Sequence, residues 1–147
     1  MKTLAAVRIT ASTPADYTLP AAIDRPLARG WLWLALAALI GSGLFSVLLV
    51  AARTPGLNAW LPAGDFFRVA LVVHVDLSVL VWFAAIAGLL WSLNLRDAPR
   101  WRTLGVLSFA LCAAGALGMA AAAFLEPGSA VMANYIPMLD GAPFIAG

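Results

Sequence analysis

Residues 71–83 read LVVHVDLSVLVWF and lie in the middle of a long apolar run. The run covers residues 69–95, which is more than the ~20 residues that a helix needs to cross a hydrocarbon core of ~30 Å. It nevertheless contains His74, the only histidine of the chain, and Asp76. The stretch therefore predicts a membrane helix, and it raises the question of why two ionisable side chains lie inside it.

The composition of the whole chain is typical of a membrane protein. Of its 147 residues, 63% are hydrophobic and 11% are charged, whereas soluble domains have about 45–50% apolar and about 25% charged residues. Two further runs, residues 31–52 and 104–125, are also long enough to span. Because a spanning segment must satisfy its own backbone, each run should be a helix. The predicted fold class is all-α, an integral membrane bundle with three transmembrane helices.

The segments outside the spans complete this organisation. Residues 1–30 are polar and predict a cytoplasmic tail, and residues 53–65 are rich in proline and glycine and predict a loop. The short link at residues 94–101 forces the second and third spans into an antiparallel hairpin. The chain closes on the apolar sequence APFIAG, which predicts the start of a fourth helix. Residues 31–147 are thus interpreted as the amino-terminal part of a larger bundle.

The distribution of basic residues predicts the orientation. Seven Lys and Arg residues precede the first span or lie between the second and third, and two, Arg53 and Arg68, lie on the other side. Since cytoplasmic loops carry the excess of Lys and Arg, the amino terminus should be cytoplasmic and the 53–65 loop should lie outside. Five tryptophans near span ends fit an interfacial aromatic belt: Trp31, Trp33, Trp60, Trp91 and Trp101.

Helical periodicity predicts different surroundings for the two ionisable side chains of the second span. Asp76 should lie about 200° around the helix from His74. Residues three and four apart share a face, so the two groups are expected to be His74 with Leu77, Ser78, Val81, Trp82 and Ala85, and Asp76 with Val79, Leu80, Phe83 and Ala84. If neither group meets lipid, the helix is covered on both sides, which predicts a bundle larger than three helices.

The residues alone leave three roles open for His74. It lies on the order of 10–13 Å below the outer surface, and an ionisable group at that depth is by default a functional hypothesis. It could make a buried structural hydrogen bond, bind haem iron or relay protons. Small residues on the three spans could admit a flat haem, or they could be ordinary packing seams: Gly41, Gly43, Ala84, Ala85, Gly88, Ala110, Ala114, Gly118 and Ala122.

Three other side chains have a functional and a plainer interpretation, and a fourth, Cys112, has only a plain one. Arg53 and Arg68 could hold haem propionates, because Arg pairs well with carboxylates, or they could anchor helix ends and pair with Asp65. Glu126 could belong to a proton or metal path, or could simply end the third helix. Cys112 lies inside an apolar run, so it has no disulfide partner in the chain and is expected to be inert packing.

The sequence LVVHVDLSVLVWFAAIAG (71–88) is similar to the second transmembrane helix of the haem–copper oxidase superfamily's large subunit, especially its nitric oxide reductase and C-type oxidase branch. There, an early His is followed by a small polar residue, a Leu and a Val-Trp pair. The matching positions here are His74, Asp76, Leu77, Val81 and Trp82. FFRVALVV (66–73), the Arg-rich turn and NYIPMLD (134–140) also resemble the family. The resemblance covers roughly residues 31–147 and implies that His74 is an axial ligand of the low-spin haem.

The resemblance also implies what this chain lacks. In the family, the second axial His, the copper ligands and the active-site haem ligand lie on later helices, whereas this chain has one His. The second haem ligand would come from outside the chain, and copper and a second haem would belong only to the missing part. The chain would then be one part of an oxygen or nitric oxide reductase, not catalytically competent alone.

The implied partners are the remaining helices of the large subunit or a completing chain, a cytochrome c-type electron donor subunit and the lipid bilayer, with no nucleic acid. The implied location is the bacterial inner membrane, where the chain would serve respiratory electron transport. One alternative is a small accessory or assembly membrane protein without a cofactor. Another is a cytochrome b-type dihaem anchor, but such anchors usually need His pairs on several helices.

Overall fold

The computed structural model describes residues 24–62, 65–94, 99–125, 128–131 and 136–147. The first helix is α1, and a short 3-10 turn follows it. The second span consists of helix α2, a π-helical segment and helix α3, and the third span is α4. In chain order the elements are α1 (Arg25–Arg53), the 3-10 turn (Asn58–Trp60), α2 (Phe66–Asp76), the π segment (Leu77–Val81), α3 (Trp82–Asn94), α4 (Pro99–Ala122), β1 (Ala130–Val131), β2 (Met138–Leu139) and α5 (Ala142–Ala146).

Three helical stretches are long and apolar enough to cross a membrane: Arg25–Arg53, Phe66–Asn94 and Arg100–Ala122. This confirms the predicted class of a membrane bundle with three spanning helices. The bounds of the third differ from those predicted, because α4 begins at Pro99 and ends at Ala122. Proline suits the first helical position, since its missing N–H would have no intrahelical partner there.

The first helix begins earlier than the sequence predicted. The prediction that residues 25–30 belong to a polar tail is wrong, because α1 already begins at Arg25. The Asp24 side chain accepts a hydrogen bond from the Leu27 backbone N–H at 3.2 Å, and Pro26 lies in the first turn. An aspartate cap with proline just inside the helix is a helix-start signal. The rest of the predicted tail, residues 1–23, lies outside the described residues.

The two ends of the bundle are held by different contacts. At one end, Arg102 Nε lies 2.7 Å from Asp24 Oδ2, which joins the beginnings of α1 and α4; we call this the Asp24 end. At the other, the Arg53 guanidinium lies 3.9 Å from the centroid of the Phe67 ring, which joins α1 to α2; we call this the Thr54 end. The predicted placement of these ends in the cytoplasm and outside, respectively, stays a prediction.

The core consists of two apolar clusters. The smaller one, near the Asp24 end, is built on Trp31, which packs against α3 at Gly88. A Cβ at Gly88 would lie 2.5 Å from the Trp31 ring, so the two helices approach as closely as a glycine allows. The larger cluster draws on α1, α2, the π segment, α4 and the carboxyl-terminal segment and includes Phe45, Val69, Val72, Val73, Leu77, Val81, Met119, Leu139 and Phe144.

The carboxyl-terminal segment turns back along α4. Strands β1 and β2 form a short antiparallel pair that the all-α prediction did not include. Helix α5 then packs on α4, and the Gly147 carbonyl lies against Gly115, within the helix rather than at its end. The chain therefore returns along α4 toward the middle of the bundle, and the expected start of a fourth helix stays a prediction.

Candidate functional site

The π-helical segment changes the faces of the second span. Asp76, Val81 and Ala85 are all buried, with exposures of 2%, 3% and 0%, whereas Val79 and Phe83 are exposed. The predicted grouping of Asp76 with Val79, Leu80, Phe83 and Ala84 is therefore wrong. A π turn holds one extra residue, so every later residue lies about 100° behind its position in a continuous α-helix. Such insertions are frequent at functional sites.

His74 is bound to α1 through one ring nitrogen. Its Nδ1 lies 2.9 Å from the Ser42 carbonyl oxygen, 2.9 Å from Ser42 Oγ and 3.3 Å from Ser46 Oγ. Ser42 Oγ also donates to the His74 carbonyl oxygen at 3.0 Å. Sequence reasoning missed Ser42 and Ser46, because 32 and 28 residues separate them from His74.

These contacts assign the tautomer of His74. A carbonyl oxygen can only accept, so Nδ1 must carry the hydrogen that it donates to Ser42. The hydroxyl hydrogen of Ser42 is directed to the His74 carbonyl, which leaves its oxygen free to accept from the same N–H. Nε2 then holds a lone pair, and it makes no hydrogen bond within the part of the chain that the structure describes. Metal-binding histidines are oriented in this way, with the other ring N–H donated to a carbonyl or carboxylate.

The small residues near the spans fall into two groups. Gly41 accommodates Leu77, whose Cδ1 would lie 3.2 Å from an added Cβ, and Gly118 lies against α5. With Gly88 beneath Trp31, these glycines serve helix packing, as the plainer interpretation held. Gly43 is different: an added Cβ would meet nothing within 4 Å, and this residue directly follows Ser42. Gly43 therefore lies on a stretch of α1 surface that no described residue covers, and the ring of His74 is half-buried.

Asp76 is buried by this chain itself. Its exposed fraction is 2%, and its Oδ1 atom is buried with no hydrogen-bond partner among the described residues. A charged Asp at the helix centre costs ~2.5–3.5 kcal/mol on an insertion scale. Asp76 therefore needs no further helix to cover it, whereas one side of His74 is left half-exposed by the described residues.

The two arginines predicted to bind a cofactor both have partners at the Thr54 end. Arg68 Nε lies 2.9 Å from Asp65 Oδ2, with side chains 60% and 57% exposed, as in the plainer interpretation. Arg53 lies over the Phe67 ring. An exposed ion pair contributes only about 0–1 kcal/mol, so Arg68 can exchange Asp65 for another carboxylate at little cost. Arg68 is about 9 Å along the helix from His74.

Two predicted residues remain, Cys112 and Glu126. Cys112 packs, partly buried, on the smaller apolar cluster, and Glu126 lies outside the described residues. Within the described ranges no group of three or more His, Cys, Asp or Glu side chains could hold a metal ion. The candidate site is therefore the His74 imidazole, which α1 orients through Nδ1. Its Nε2 has no hydrogen-bond partner among the described residues, and the side chain is half-buried.

The comparisons with known proteins identify one relative. A stretch of 68 residues, 46% of this chain, is 38% identical to an uncharacterized protein of Rickettsia prowazekii (strain Madrid E). Because those 68 residues make up 13% of the relative, its full length is about 520 residues, and the match spans only a small part of it. No family model matches the chain, and no solved structure does.

Proposed function

We propose that this chain is the amino-terminal part of a respiratory haem–copper oxidoreductase, in which His74 supplies one axial ligand of the low-spin haem. One observation carries the proposal: Nδ1–H is donated to the Ser42 carbonyl, and Nε2 has no partner in the described chain. Neutral imidazole is a common axial ligand of haem iron. The hydrogen bond to the carbonyl fixes the ring's orientation and raises its basicity.

The surroundings of His74 are compatible with a haem. The ring is half-buried rather than enclosed, so a ligand can reach Nε2 from the side that this chain leaves open. Gly43, which follows Ser42 in the sequence, has no described atom within 4 Å of an added Cβ, and such open backbone suits the close approach of a flat macrocycle. The similarity of residues 71–88 to the second helix of the family's large subunit points the same way. A relative of about 520 residues has ample length for the remaining helices.

The residues of this chain have defined tasks under the proposal. Bound haem supplies the one-electron carrier, and the protein binds it, orients it and excludes water. Ser42 orients His74, the apolar length of α2 provides a dry wall, and Arg53 and Arg68 are the cations for the propionates. The second axial ligand, the copper and the active-site haem belong to helices outside this chain. The electron donor is a cytochrome c-type subunit, and the location is the bacterial inner membrane.

A specific observation also favours the second candidate, an accessory or assembly membrane protein without a cofactor. The contacts of His74 with Ser42 and Ser46 already join α1 to α2 inside this chain. A histidine whose only task is to connect two helices would make these same hydrogen bonds.

The test uses the protein in its native membrane, purified with whatever assembles with it. His74→Ala should remove the low-spin haem signal from the optical and electron paramagnetic resonance spectra and leave a high-spin haem on its own ligand. Ser78→Ala is the control, because among the described residues the Ser78 hydroxyl donates only to the His74 and Val75 carbonyl oxygens, at 2.8 and 3.2 Å. Purified material without a Soret band would refute the proposal and favour the accessory protein. A low-spin spectrum unchanged in His74→Ala would remove His74 from the haem site.

The proposed orientation has a separate test. A cysteine in place of Asn58, in the 3-10 turn after α1, should react from outside the cell with an impermeant thiol reagent. A cysteine in the link between the second and third spans should react only after the membrane is opened. The reverse labelling would contradict the predicted topology. It would not bear on haem binding, which the spectra of His74→Ala test separately.

A further inference from the structure

A second cleft lies at the Asp24 end, roughly 20 Å along the helix axis from His74. It has a volume of about 350 Å³ and opens between α3 and α4, with α1 as its floor. The haem proposal does not use it. Its walls include Leu27, Trp31, Trp91, Trp101, Leu104 and Ser108.

The cleft is apolar and its floor is closely packed. Trp31 is buried between Gly88 and Phe109, whose ring meets it edge-on with centroids 5.2 Å apart. Ser92, the buried hydroxyl in the wall, already donates to the Leu89 carbonyl oxygen at 2.7 Å. The interior therefore leaves no buried side-chain donor or acceptor unpaired, and it suits a hydrocarbon chain rather than a polar ligand.

The mouth of the cleft lies at a helix end and is aromatic. Trp91 is 65% exposed and Trp101 is 42% exposed. Exposed tryptophans at the ends of membrane helices lie at the level of the lipid headgroups. An occupant of the cleft would thus have its apolar part below these rings and its polar part beside them.

The charges around this end favour an anion. The described charged side chains at the Asp24 end are one aspartate and four arginines, Arg25, Arg29, Arg100 and Arg102. Arg102 is paired with Asp24, and the Arg100 guanidinium lies 5.2 Å from the Trp101 ring, at the cleft's mouth. At the Thr54 end, by contrast, the described charges balance: Arg53, Asp65, Arg68 and Asp140. Juxtamembrane arginines attract anionic lipids by about 1 kcal/mol each.

We propose that this cleft binds an anionic phospholipid of the leaflet at the Asp24 end. One acyl chain fills the space between α3 and α4 above Trp31, and the phosphate lies beside Arg100. The rings of Trp91 and Trp101 hold the glycerol region between them. The proposal requires no cofactor and stands whether or not His74 binds haem.

The test measures which lipid stays bound. The full chain, with its native partners, is exchanged into nanodiscs of dioleoylphosphatidylglycerol and dioleoylphosphatidylcholine in equal amounts, and native mass spectrometry counts the retained lipids. The native protein should retain phosphatidylglycerol preferentially. Arg100→Gln should lower that preference about fivefold, the equivalent of one arginine at the surface. Asp140→Asn, which changes the charge by one unit at the Thr54 end, is the charge control and should leave the preference unchanged.

A second pair of variants tests the cleft itself. Ser108→Trp places a ring into the space and should abolish retention of the lipid, whereas Leu117→Trp, on an exposed site of the same helix, should not. Equal retention of both lipids by the native protein would overturn the proposal. So would retention that survives Ser108→Trp, a change in preference as large in Asp140→Asn as in Arg100→Gln, or a tightly bound species that is not a phospholipid.

Discussion

The Ser42 side chain offers the sharpest test of how His74 is held, and Ser42→Ala is the change to make. The hydroxyl is buried, with 3% of the residue exposed, and it takes part in two contacts between α1 and α2. It lies 2.9 Å from His74 Nδ1 and donates to the His74 carbonyl at 3.0 Å. The variant removes both but keeps the backbone carbonyl of residue 42, so the tautomer of His74 is preserved.

The size of the effect follows from these contacts. Each neutral hydrogen bond contributes about 0.5–1.5 kcal/mol net, so Ser42→Ala should lower the free energy of unfolding by about 1–3 kcal/mol. Loss of a group that orients a metal ligand typically costs 10–100-fold in affinity. We expect about tenfold weaker haem binding, at the low end of that range, because the carbonyl still orients the ring. Ser42 is thus a positioning residue.

The assay combines two readouts on the purified assembly. Denaturant unfolding in detergent measures stability, and titration with a haem-chelating competitor measures haem affinity. Ser46→Ala is the matched control: its hydroxyl lies 3.3 Å from Nδ1, so it should cost under about 1 kcal/mol. A Ser42→Ala protein as stable as the native one, with the same haem affinity, would refute the assigned hydrogen bonds. Lower stability with unchanged haem affinity would assign Ser42 to helix packing alone.

Three further predictions concern other parts of the chain. Gly88→Ala should destabilise the bundle by about 1–3 kcal/mol through overpacking, since the new Cβ would lie 2.5 Å from the Trp31 ring; unfolding in denaturant measures the loss, and a neutral result would contradict the packing. Asp76→Asn should fold at least as well as the native chain, because Asp76 Oδ1 has no described partner to lose; a drop of more than about 2 kcal/mol in the same assay would reveal a hydrogen-bond partner. Hydrogen bonds from Ser129 hold the pKa of Asp140 below its ordinary value of 3.8. The bond between these residues should therefore persist above pH 3.8 and break as the pH falls through the lowered pKa; NMR titration of the carboxyl measures this, and Ser129→Ala should return the pKa toward 3.8.

Some features of the fold and of the candidate site could be predicted from the sequence, and others could not. The length of the apolar runs sufficed to predict three membrane helices, because the bilayer imposes a length on any spanning segment. The earlier start of α1 was not predicted, but the signal for it is local, since Asp24 and Pro26 form a helix cap. The depth of His74 in its span marked it as a candidate without any structure. Each of these inferences depends on residues close together in the chain and on the solvent around them.

Tertiary structure alone decided which side chains meet. Nothing in residues 71–83 indicates the π turn, which leaves Val79 and Phe83 exposed although Asp76 is buried. That register keeps the second span packed on α1 above and below the turn, with Leu77 against Gly41 and Trp31 against Gly88. The contact between His74 and Ser42 joins residues 32 positions apart, so no local pattern encodes it. Apolar length is a property of one helix and its solvent, whereas register and hydrogen-bond partners depend on how two helices fit together.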